Sequence, residues 1–290
     1  MNRQISALLL TALVVFSFSC SKSDNGTGNT VNIAEKNMYN VAYGTDPQQK
    51  MDIYLPANRQ NDSTRVLVLI HGGGWTAGDK NDWASSLDSI KKRLPNYAIF
   101  NVNYRLASLP ANNLFPIQEQ DINSAVNFIN GNRLDYVVSN KFVLMGASAG
   151  GHLSLLQAYK YHSSVNVKAV VDFFGPTDMA DMYNNPGAYS PLAIAALMSG
   201  TPATNPSMYQ TSSPINYVNS SSCPTIILQG GLDPLVNHVT QSEALRDKLT
   251  AFNITNQYVY YPLGGHGDWD AATYSDAFSK IQAFLTANVH

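Results

Sequence analysis

The chain has 290 residues, of which 44% are hydrophobic and 13% are charged, and its formal net charge at pH 7 is −2. This length and apolar content suit one α/β domain with a single large core. The chain contains no basic cluster, which argues against a nucleic-acid partner.

The N-terminus is predicted to be an export signal rather than part of the fold. Met1-Asn2-Arg3 is a short basic start, and the apolar run at 5–18 is too short to span a bilayer comfortably. The run ends at Ser19-Cys20, which resembles a bacterial lipobox, so we expect Cys20 to be the lipidated first residue of the mature protein. Phe18 departs from the small residue usual before the cleavage position, and an ordinary signal peptide cut nearby is the alternative.

The segments that follow predict an exported protein held on the cell envelope. Residues 1–19 are interpreted as a lipoprotein-type signal peptide, and residues 20–36 as a flexible tether, because the first part of this segment is polar, small and glycine-rich. A serine after Cys20 is typical of outer-membrane lipoproteins, so we expect an outer-membrane anchor and no other membrane contact. Once Cys20 carries lipid, Cys223 has no disulfide partner, and we expect it to be a small buried side chain.

From residue 37 onward, apolar runs and turn residues predict alternating strands and helices. The alternation at 50–55 suits an antiparallel edge strand, whereas the continuous apolar run at 65–70 suits a strand covered on both faces. Strands are predicted at about 37–44, 50–55, 65–70, 97–104, 141–145, 167–174, 224–228 and 257–261. Helices are predicted at about 82–93, 116–129, 151–161, 238–252 and 270–289. The sequence therefore predicts an α/β domain over 37–290, with a mainly parallel sheet covered on both faces.

One serine occupies a predicted strand-to-helix turn. The sequence Gly-Ala-Ser-Ala-Gly at 146–150 directly follows the strand at 141–145, which is the context in which this motif forms a nucleophile elbow. A serine on so tight a turn is strained and leaves its neighbours little room for a Cβ, which accounts for Gly146 and Gly150. Ser148 is therefore the predicted nucleophile. The alternative is a glycine-rich turn that carries an incidental serine.

A second glycine-rich turn, His-Gly-Gly-Gly-Trp at 71–75, follows the strand at 65–70. Successive glycines let the backbone approach a substrate and direct N–H groups toward it, as in the oxyanion hole of esterases and lipases. We predict that Gly73 or Gly74 supplies one donor and that Ala149, after the nucleophile, supplies the other. His71 is expected to hold the loop by hydrogen bonding. Trp75 either lines the acyl pocket or only covers the loop.

The segment at about 175–222 has no clear periodicity. It is rich in prolines and tyrosines, and it precedes the strand that leads to the predicted catalytic acid. Long insertions in α/β domains are usually functional, so we interpret it as a lid or a pocket wall. A packed excursion that makes no substrate contact is the alternative.

Three residues with complementary chemistry lie just past the ends of predicted strands. They are Ser148, Asp233 and His266, and the carboxyl ends of parallel strands meet at one edge of a sheet. A serine hydroxyl needs a base, here His266, and the base needs a carboxylate, here Asp233, to fix its tautomer. Their order, Ser then Asp then His, is that of α/β-hydrolases. The weaker rivals are His152, His162, His238, His290, Glu243, Asp268 and Asp270, of which Asp268 is expected to cap the last helix.

Taken together, these motifs resemble the bacterial feruloyl-esterase-like branch of the α/β-hydrolases, which is related to the hormone-sensitive-lipase group of carboxylesterases. The motifs that carry the resemblance are HGGGW at 71–75, NYRL at 103–106, GASAGGH at 146–152, FGPTD at 174–178, GGLD at 230–233 and GGHG at 264–267. Ala147 departs from the hormone-sensitive-lipase group, which often has an acidic residue there. The resemblance implies an α/β-hydrolase fold and serine carboxylester hydrolysis without metal or cofactor.

The function predicted on this basis is a serine esterase that acts on small esters or on acetyl or feruloyl esters of polysaccharides. A serine peptidase on the same fold is one alternative, although no acidic pair for a free amino terminus is evident. The other is a binding protein that has kept the fold and lost activity, although every triad and oxyanion position is filled.

Overall fold

The computed structural model describes residues 33–161 and 165–290. The predicted signal peptide, the lipidation site Cys20, most of the predicted tether and His162 lie outside the described residues. Among the described residues, no helix combines the length and the apolar character needed to cross a membrane.

The described chain forms an eight-stranded sheet in the order β1-β2-β4-β3-β5-β6-β7-β8. The strands are β1 (Lys36–Ala42), β2 (Lys50–Leu55), β3 (Arg65–Ile70), β4 (Tyr97–Val102), β5 (Lys141–Ala147), β6 (Asn166–Phe173), β7 (Thr225–Gly230) and β8 (Asn256–Tyr261). Strand β2 pairs antiparallel with both β1 and β4, and all other pairs are parallel. The predicted α/β fold class is confirmed. Strands β1 and β4 each end two residues earlier than predicted.

Helices cover both faces of the sheet. They are α1 (Ala84–Arg93), α2 (Ile117–Gly131), α3 (Arg133–Tyr136), α4 (Ala149–Tyr159), α5 (Met179–Asn184), α6 (Pro191–Leu197), α7 (Pro206–Thr211), α8 (Ala244–Ala251) and α9 (Ala271–Asn288). Helices α2, α4 and α8 lie on one face, and α1 and α9 lie on the other. The helix predicted at 238–252 begins as a π-helical turn, His238–Glu243, before α8. A 3₁₀ turn, Lys80–Trp83, precedes α1, and Asp79 caps it by accepting a hydrogen bond from Asn81 N–H.

Strand β3 shows how the core is divided between the two faces of the sheet. Val66, Val68 and Ile70 pack in the core beneath α2 and α4, whereas Leu67 and Leu69 pack beneath α1 and α9. All five side chains are fully buried. Burying one such aliphatic side chain contributes about 1.5–3 kcal/mol. Because β3 is buried on both faces, every one of these side chains contributes, on one side of the sheet or the other. The continuous apolar run in the sequence is the consequence.

The segment at 175–222 contains the short helices α5, α6 and α7 and a 3₁₀ turn, Pro214–Tyr217. It packs on the core, because Leu197, Met198 and Tyr209 are buried and Phe115 N–H donates to Leu197 O at 3.2 Å. The sequence predicted no helices here. Each of the three spans only six or seven residues, too few for a helical period to be recognised.

Candidate active site

Ser148 lies at the turn between β5 and α4, where its backbone has φ 56° and ψ −121°. This conformation is strained for any residue with a Cβ. The turn is held by Ser148 N–H, which donates to Phe173 O at 2.8 Å. A Cβ on Gly146 would collide with Gly150 O, and a Cβ on Gly150 would collide with Ile70 O. The sequence therefore needs glycine on both sides of the serine for α4 to begin so close to the sheet.

The structure brings Ser148, His266 and Asp233 into one hydrogen-bonded chain. His266 Nε2 lies 2.8 Å from Ser148 Oγ, and His266 Nδ1 lies 2.7 Å from Asp233 Oδ2. The His266 imidazole is 15% exposed, whereas the Asp233 carboxylate behind it is only 1% exposed. Nδ1–H donating to the carboxylate leaves Nε2 free to accept the serine proton. This is the geometry in which a serine hydroxyl can become a nucleophile.

The Asp233 carboxylate is fixed from several sides. Its Oδ1 accepts from Leu235 N–H at 2.8 Å and Val236 N–H at 2.9 Å, and its Oδ2 also accepts from Gln229 Nε2 at 3.1 Å. Burial raises the pKa of Asp233, but the hydrogen bonds from His266 and from these backbone groups outweigh burial, and the pKa lies below its ordinary value. The carboxylate is therefore ionised at neutral pH and can stabilise a protonated His266.

Gln229 is a supporting residue that the sequence reasoning missed. It is fully buried in β7, and its Oε1 accepts from Ser242 Oγ at 2.8 Å while its Nε2 reaches Asp233. The available signal was a polar residue in an otherwise apolar strand, four positions before the predicted acid.

The predicted oxyanion donors lie on the two turns that flank Ser148. Gly73 and Gly74 have φ values of 98° and 57°, in the region that favours glycine. Ala149 is the first residue of α4, where helical N–H groups lack intrahelical acceptors. Among the described residues, the N–H groups of Gly73, Gly74 and Ala149 donate to no other protein group. All three are thus available to an anionic oxygen near Ser148.

Tyr104 and His71 hold the glycine turn from behind. The Tyr104 hydroxyl lies 3.1 Å from both His71 O and Gly72 O, and His71 Nδ1–H donates to Gly72 O at 2.8 Å. The peptide between Gly72 and Gly73 is planar, so fixing the Gly72 carbonyl directs the Gly73 N–H the opposite way. Burial lowers the pKa of His71, which keeps the ring neutral. His71 thus has the loop-holding position expected of it, and the role of Tyr104 was missed.

Trp75 is 2% exposed and also lines the cavity beside Ser148. Its Nε1–H donates to His152 Nδ1 at 3.2 Å, and His152 Nε2–H donates to Ser212 O at 2.7 Å. Burial lowers the pKa of His152 to about 4, so this histidine is neutral and both of its nitrogens are occupied. It ties the glycine loop to the segment at 175–222 rather than serving Ser148.

A cavity of about 380 Å³ opens at Ser148. Its lining is mainly apolar and comes from the glycine turn, the elbow and the segment at 175–222. The apolar lining residues include Trp75, Leu109, Phe174, Ala193, Ile194, Leu197 and Leu235. The expectation that this segment forms a pocket wall agrees with these contacts. An apolar cavity with a few polar groups at one end is typical of a small-molecule site.

Tyr189 brings a hydroxyl into this cavity. A Cβ added to Gly74 would lie 3.4 Å from the Tyr189 hydroxyl oxygen, so the phenol lies beside the predicted oxyanion donors. Burial raises the pKa of Tyr189, against the smaller opposing effect of the Ser148 hydroxyl. Its loop is anchored to the acid loop, because Ala188 N–H donates to Pro234 O at 2.8 Å. The sequence placed Tyr189 in the insertion but assigned it no role.

The remaining candidates lie away from the triad contacts. His238 pairs with Glu243 at 3.1 Å. The prediction that Asp268 caps the last helix is wrong, because Asp270 Oδ1 accepts from Thr273 N–H at 2.7 Å at the start of α9. Cys223 is partly buried rather than fully buried, and burial raises its pKa to about 12. Within residues 33–161 and 165–290, no cluster of His, Cys, Asp or Glu could hold a metal ion.

Comparison with known proteins gives one family and several relatives. The family model BD-FAE matches residues 51–249. Esterase LipC of Mycobacterium tuberculosis is 25% identical over 243 residues, which cover 78% of this chain and 59% of the relative. The chain thus spans little more than half the length of this curated relative.

Two solved structures show the same fold over 87% of this chain, each with a TM-score of 0.73. One is a bifunctional GH43-CE protein of Bacteroides eggerthii, which is 28% identical and of which 38% is covered. The other is a truncated form of a carbohydrate esterase from gut microbiota, which is 26% identical and of which 95% is covered.

Proposed function

We propose that this chain, which belongs to the BD-FAE family of α/β-hydrolases, is a serine carboxylester hydrolase. The observation that carries the proposal is the chain of contacts from Ser148 through His266 to Asp233, at 2.8 Å and 2.7 Å. The relationship to Esterase LipC supports the same class of reaction.

In the first half of the proposed reaction, Ser148 Oγ attacks the ester carbonyl carbon and its proton passes to His266 Nε2. Asp233 stabilises the resulting imidazolium through Nδ1–H. The carbonyl oxygen becomes an oxyanion, which accepts from Ala149 N–H and from Gly73 or Gly74 N–H. Losing one such donor typically costs about 10²–10³ in turnover. The tetrahedral adduct then collapses, and the leaving alcohol takes the proton from His266.

In the second half, water replaces the alcohol. The water oxygen attacks the acyl carbon of the ester on Ser148, and His266 removes a proton from this water. The second tetrahedral adduct uses the same N–H donors. Its collapse returns the proton to Ser148 Oγ and releases a carboxylic acid, so the enzyme is regenerated without a further reactant.

The proposed substrates are acetyl or feruloyl esters of polysaccharides, together with small esters. The apolar cavity of about 380 Å³ beside Ser148 suits the acyl group. The similarity to a carbohydrate esterase from gut microbiota supports a sugar as the alcohol. The proposed location, on the cell envelope through lipidated Cys20, rests on the sequence of the first thirty residues and would give access to such polymers.

The test is hydrolysis of p-nitrophenyl acetate, butyrate and octanoate by the wild type, Ser148→Ala and Ser279→Ala. Ser279 is exposed on α9 and serves as the control. We expect Ser148→Ala to lower kcat by at least about 10³-fold, because removing a triad nucleophile leaves only binding and oxyanion stabilisation. Ser279→Ala should match the wild type. Retained activity in Ser148→Ala would refute the assignment of the nucleophile.

A further inference from the structure

A second cleft, of about 640 Å³, adjoins the cavity at Ser148. The two share Gly72, Ala147 and Phe174 as lining residues. The other walls of the second cleft come from the 3₁₀ turn before α1, from α1 itself and from the start of α9. Unlike the first cavity, this cleft is lined by many polar groups, which are Asp82, Ser85, Ser86, Ser89, Arg93 and Ser275.

Two buried polar groups at this cleft have no partner. His71 and Trp83 both line it, and they are 1% and 7% exposed. Neither His71 Nε2 nor Trp83 Nε1 has a hydrogen-bond partner among the described residues. Because His71 Nδ1–H donates to Gly72 O, Nε2 is an acceptor, whereas Trp83 Nε1–H is a donor. A buried group without a partner is costly, so these two unpaired atoms make the inner wall of the cleft polar.

The Arg93 guanidinium is held in place by hydroxyl groups. It donates to Ser89 Oγ at 2.6 Å and to Ser275 Oγ at 3.2 Å, which links α1 to α9. Among the described residues it has no carboxylate partner within 4.0 Å. Asp82 lines the same cleft, so the two formal charges offset each other. A neutral ligand with several hydroxyl groups fits this lining better than an anion.

Aromatic rings complete the walls. The cleft is lined by Phe173, Phe174, Tyr274 and Phe278. Ring faces offer apolar surface to the C–H faces of a sugar ring, while the serines and Arg93 offer hydrogen bonds to its hydroxyl groups. A sugar uses both kinds of contact at once.

We infer that this second cleft binds a sugar residue of the alcohol part of the ester, while the apolar cavity at Ser148 takes the acyl group. The inference rests on the proposed esterase function. The chemistry decides which part of the ester lies in which space, because the leaving alcohol must lie next to His266, which protonates it. Ser148 and His266 line the first cavity, and Gly267, the residue after His266, lines the second cleft, so the two spaces meet beside the imidazole. The shared lining residues let one ester occupy both spaces.

Binding is tested first, with xylotriose and the Ser148→Ala protein, by calorimetry. We expect measurable binding, weakened about tenfold or more by Arg93→Met, which removes the charged guanidinium but keeps an aliphatic stem. Lys92→Met is the matched control, because Lys92 is exposed, precedes Arg93 on α1 and does not line the cleft. Ser86→Phe, which fills the cleft from α1, is a second variant and should also weaken binding. No xylotriose binding to Ser148→Ala, or equal binding by all variants, would overturn the inference.

Hydrolysis then shows whether the bound sugar belongs to the substrate. We expect Arg93→Met to raise KM for acetylated xylotriose about tenfold more than it changes KM for p-nitrophenyl acetate. An equal effect on the two substrates would mean that Arg93 only supports the fold, and the inference would fail. The two proposals fail separately, because absence of all ester hydrolysis defeats the proposed function, whereas the calorimetric result decides the cleft without catalysis.

Discussion

Tyr189 is the cavity residue whose chemistry is least accounted for by a serine triad alone. Its hydroxyl lies beside Gly74 in the cavity that Ser148 also lines, and burial raises its pKa, so the phenol stays protonated and can donate. Once Ser148 Oγ bonds to the acyl carbon, a donor at this position faces either the oxyanion or the ester oxygen. Its donation would add to that of the backbone N–H groups.

We therefore predict that Tyr189→Phe lowers kcat for p-nitrophenyl acetate by about tenfold with little change in KM, because one donor to the transition state is lost while the ring is retained. The measurement is steady-state kinetics from pH 6 to 9. Tyr183→Phe is the control, since Tyr183 contacts Tyr209 in the same segment and does not line the cavity. A rise in KM alone would show that Tyr189 is only a wall of the pocket.

For individual residues, the sequence is informative where a residue type in a recognisable motif has one common chemical role. Ser148, Asp233 and His266 can be predicted because each follows a predicted strand, and the structure brings them within hydrogen-bonding distance. Tyr189 and Gln229 were not assigned, because their importance depends on contacts across long stretches of chain. A tyrosine in an irregular segment or a glutamine in a strand carries no signal of those contacts.

Among the elements, α6 supplies one wall of the cavity at Ser148. Ala193, Ile194 and Leu197 line it from one face of this seven-residue helix, whereas Ala195 does not. The C-terminal end of the helix is fixed to the chain before α2, because Leu197 O accepts from Phe115 N–H at 3.2 Å. Changes in side-chain volume on α6 should therefore alter the cavity without moving its walls.

Ala193→Leu is predicted to narrow the cavity and shift acyl preference toward acetate. We expect the ratio of kcat/KM for octanoate to that for acetate to fall about tenfold, because the added carbons exclude the far end of a long chain. Ala195→Leu, on the same helix but outside the cavity, should leave the ratio unchanged. If both variants change the ratio equally, α6 acts through packing and not as the wall of the acyl pocket.

The strands were predicted to within about two residues, whereas the helices of the segment at 175–222 were not predicted at all. The difference is physical. A strand buried on both faces, such as β3, must be apolar throughout, so the ends of the apolar run in the sequence mark the ends of the strand. Helices α5, α6 and α7 are too short to show a period, and tertiary packing rather than propensity fixes them.

For the whole molecule, the sheet order explains why distant motifs meet. The nucleophile turn follows β5, the glycine turn follows β3, the acid loop follows β7 and the histidine loop follows β8, and all these strands are parallel. Their carboxyl ends therefore share one edge, as the alternating pattern predicted. The second cleft beside the cavity at Ser148 could not be predicted from the sequence, because it depends on how α1 and α9 pack next to this edge.

The same architecture buries a carboxyl group that the proposed reaction does not use. Asp172, in β6, is fully buried, and its Oδ1 accepts from Gly175 N–H at 2.9 Å. Its Oδ2 has no hydrogen-bond partner among the described residues. Burial raises the pKa of Asp172 to about 8, against the smaller opposing effect of the Gly175 N–H. The folded protein thus favours the neutral acid at this position.

This burial predicts a pH dependence of stability with a definite sign. The folded pKa of Asp172, about 8, lies above the unfolded value, about 3.9. The unfolded chain therefore releases this proton first, and the free energy of unfolding falls as pH rises from about 4 to about 8, by at most roughly 1.4 kcal/mol per unit. Asp172→Asn keeps the Oδ1 acceptor without the titratable proton and should remove this dependence. Urea unfolding at pH 5 and pH 9 measures it, with Asp88→Asn, exposed on α1, as the control. If the wild type and Asp172→Asn lose the same stability between these pH values, Asp172 is ionised in the folded protein and an unseen partner must stabilise its charge.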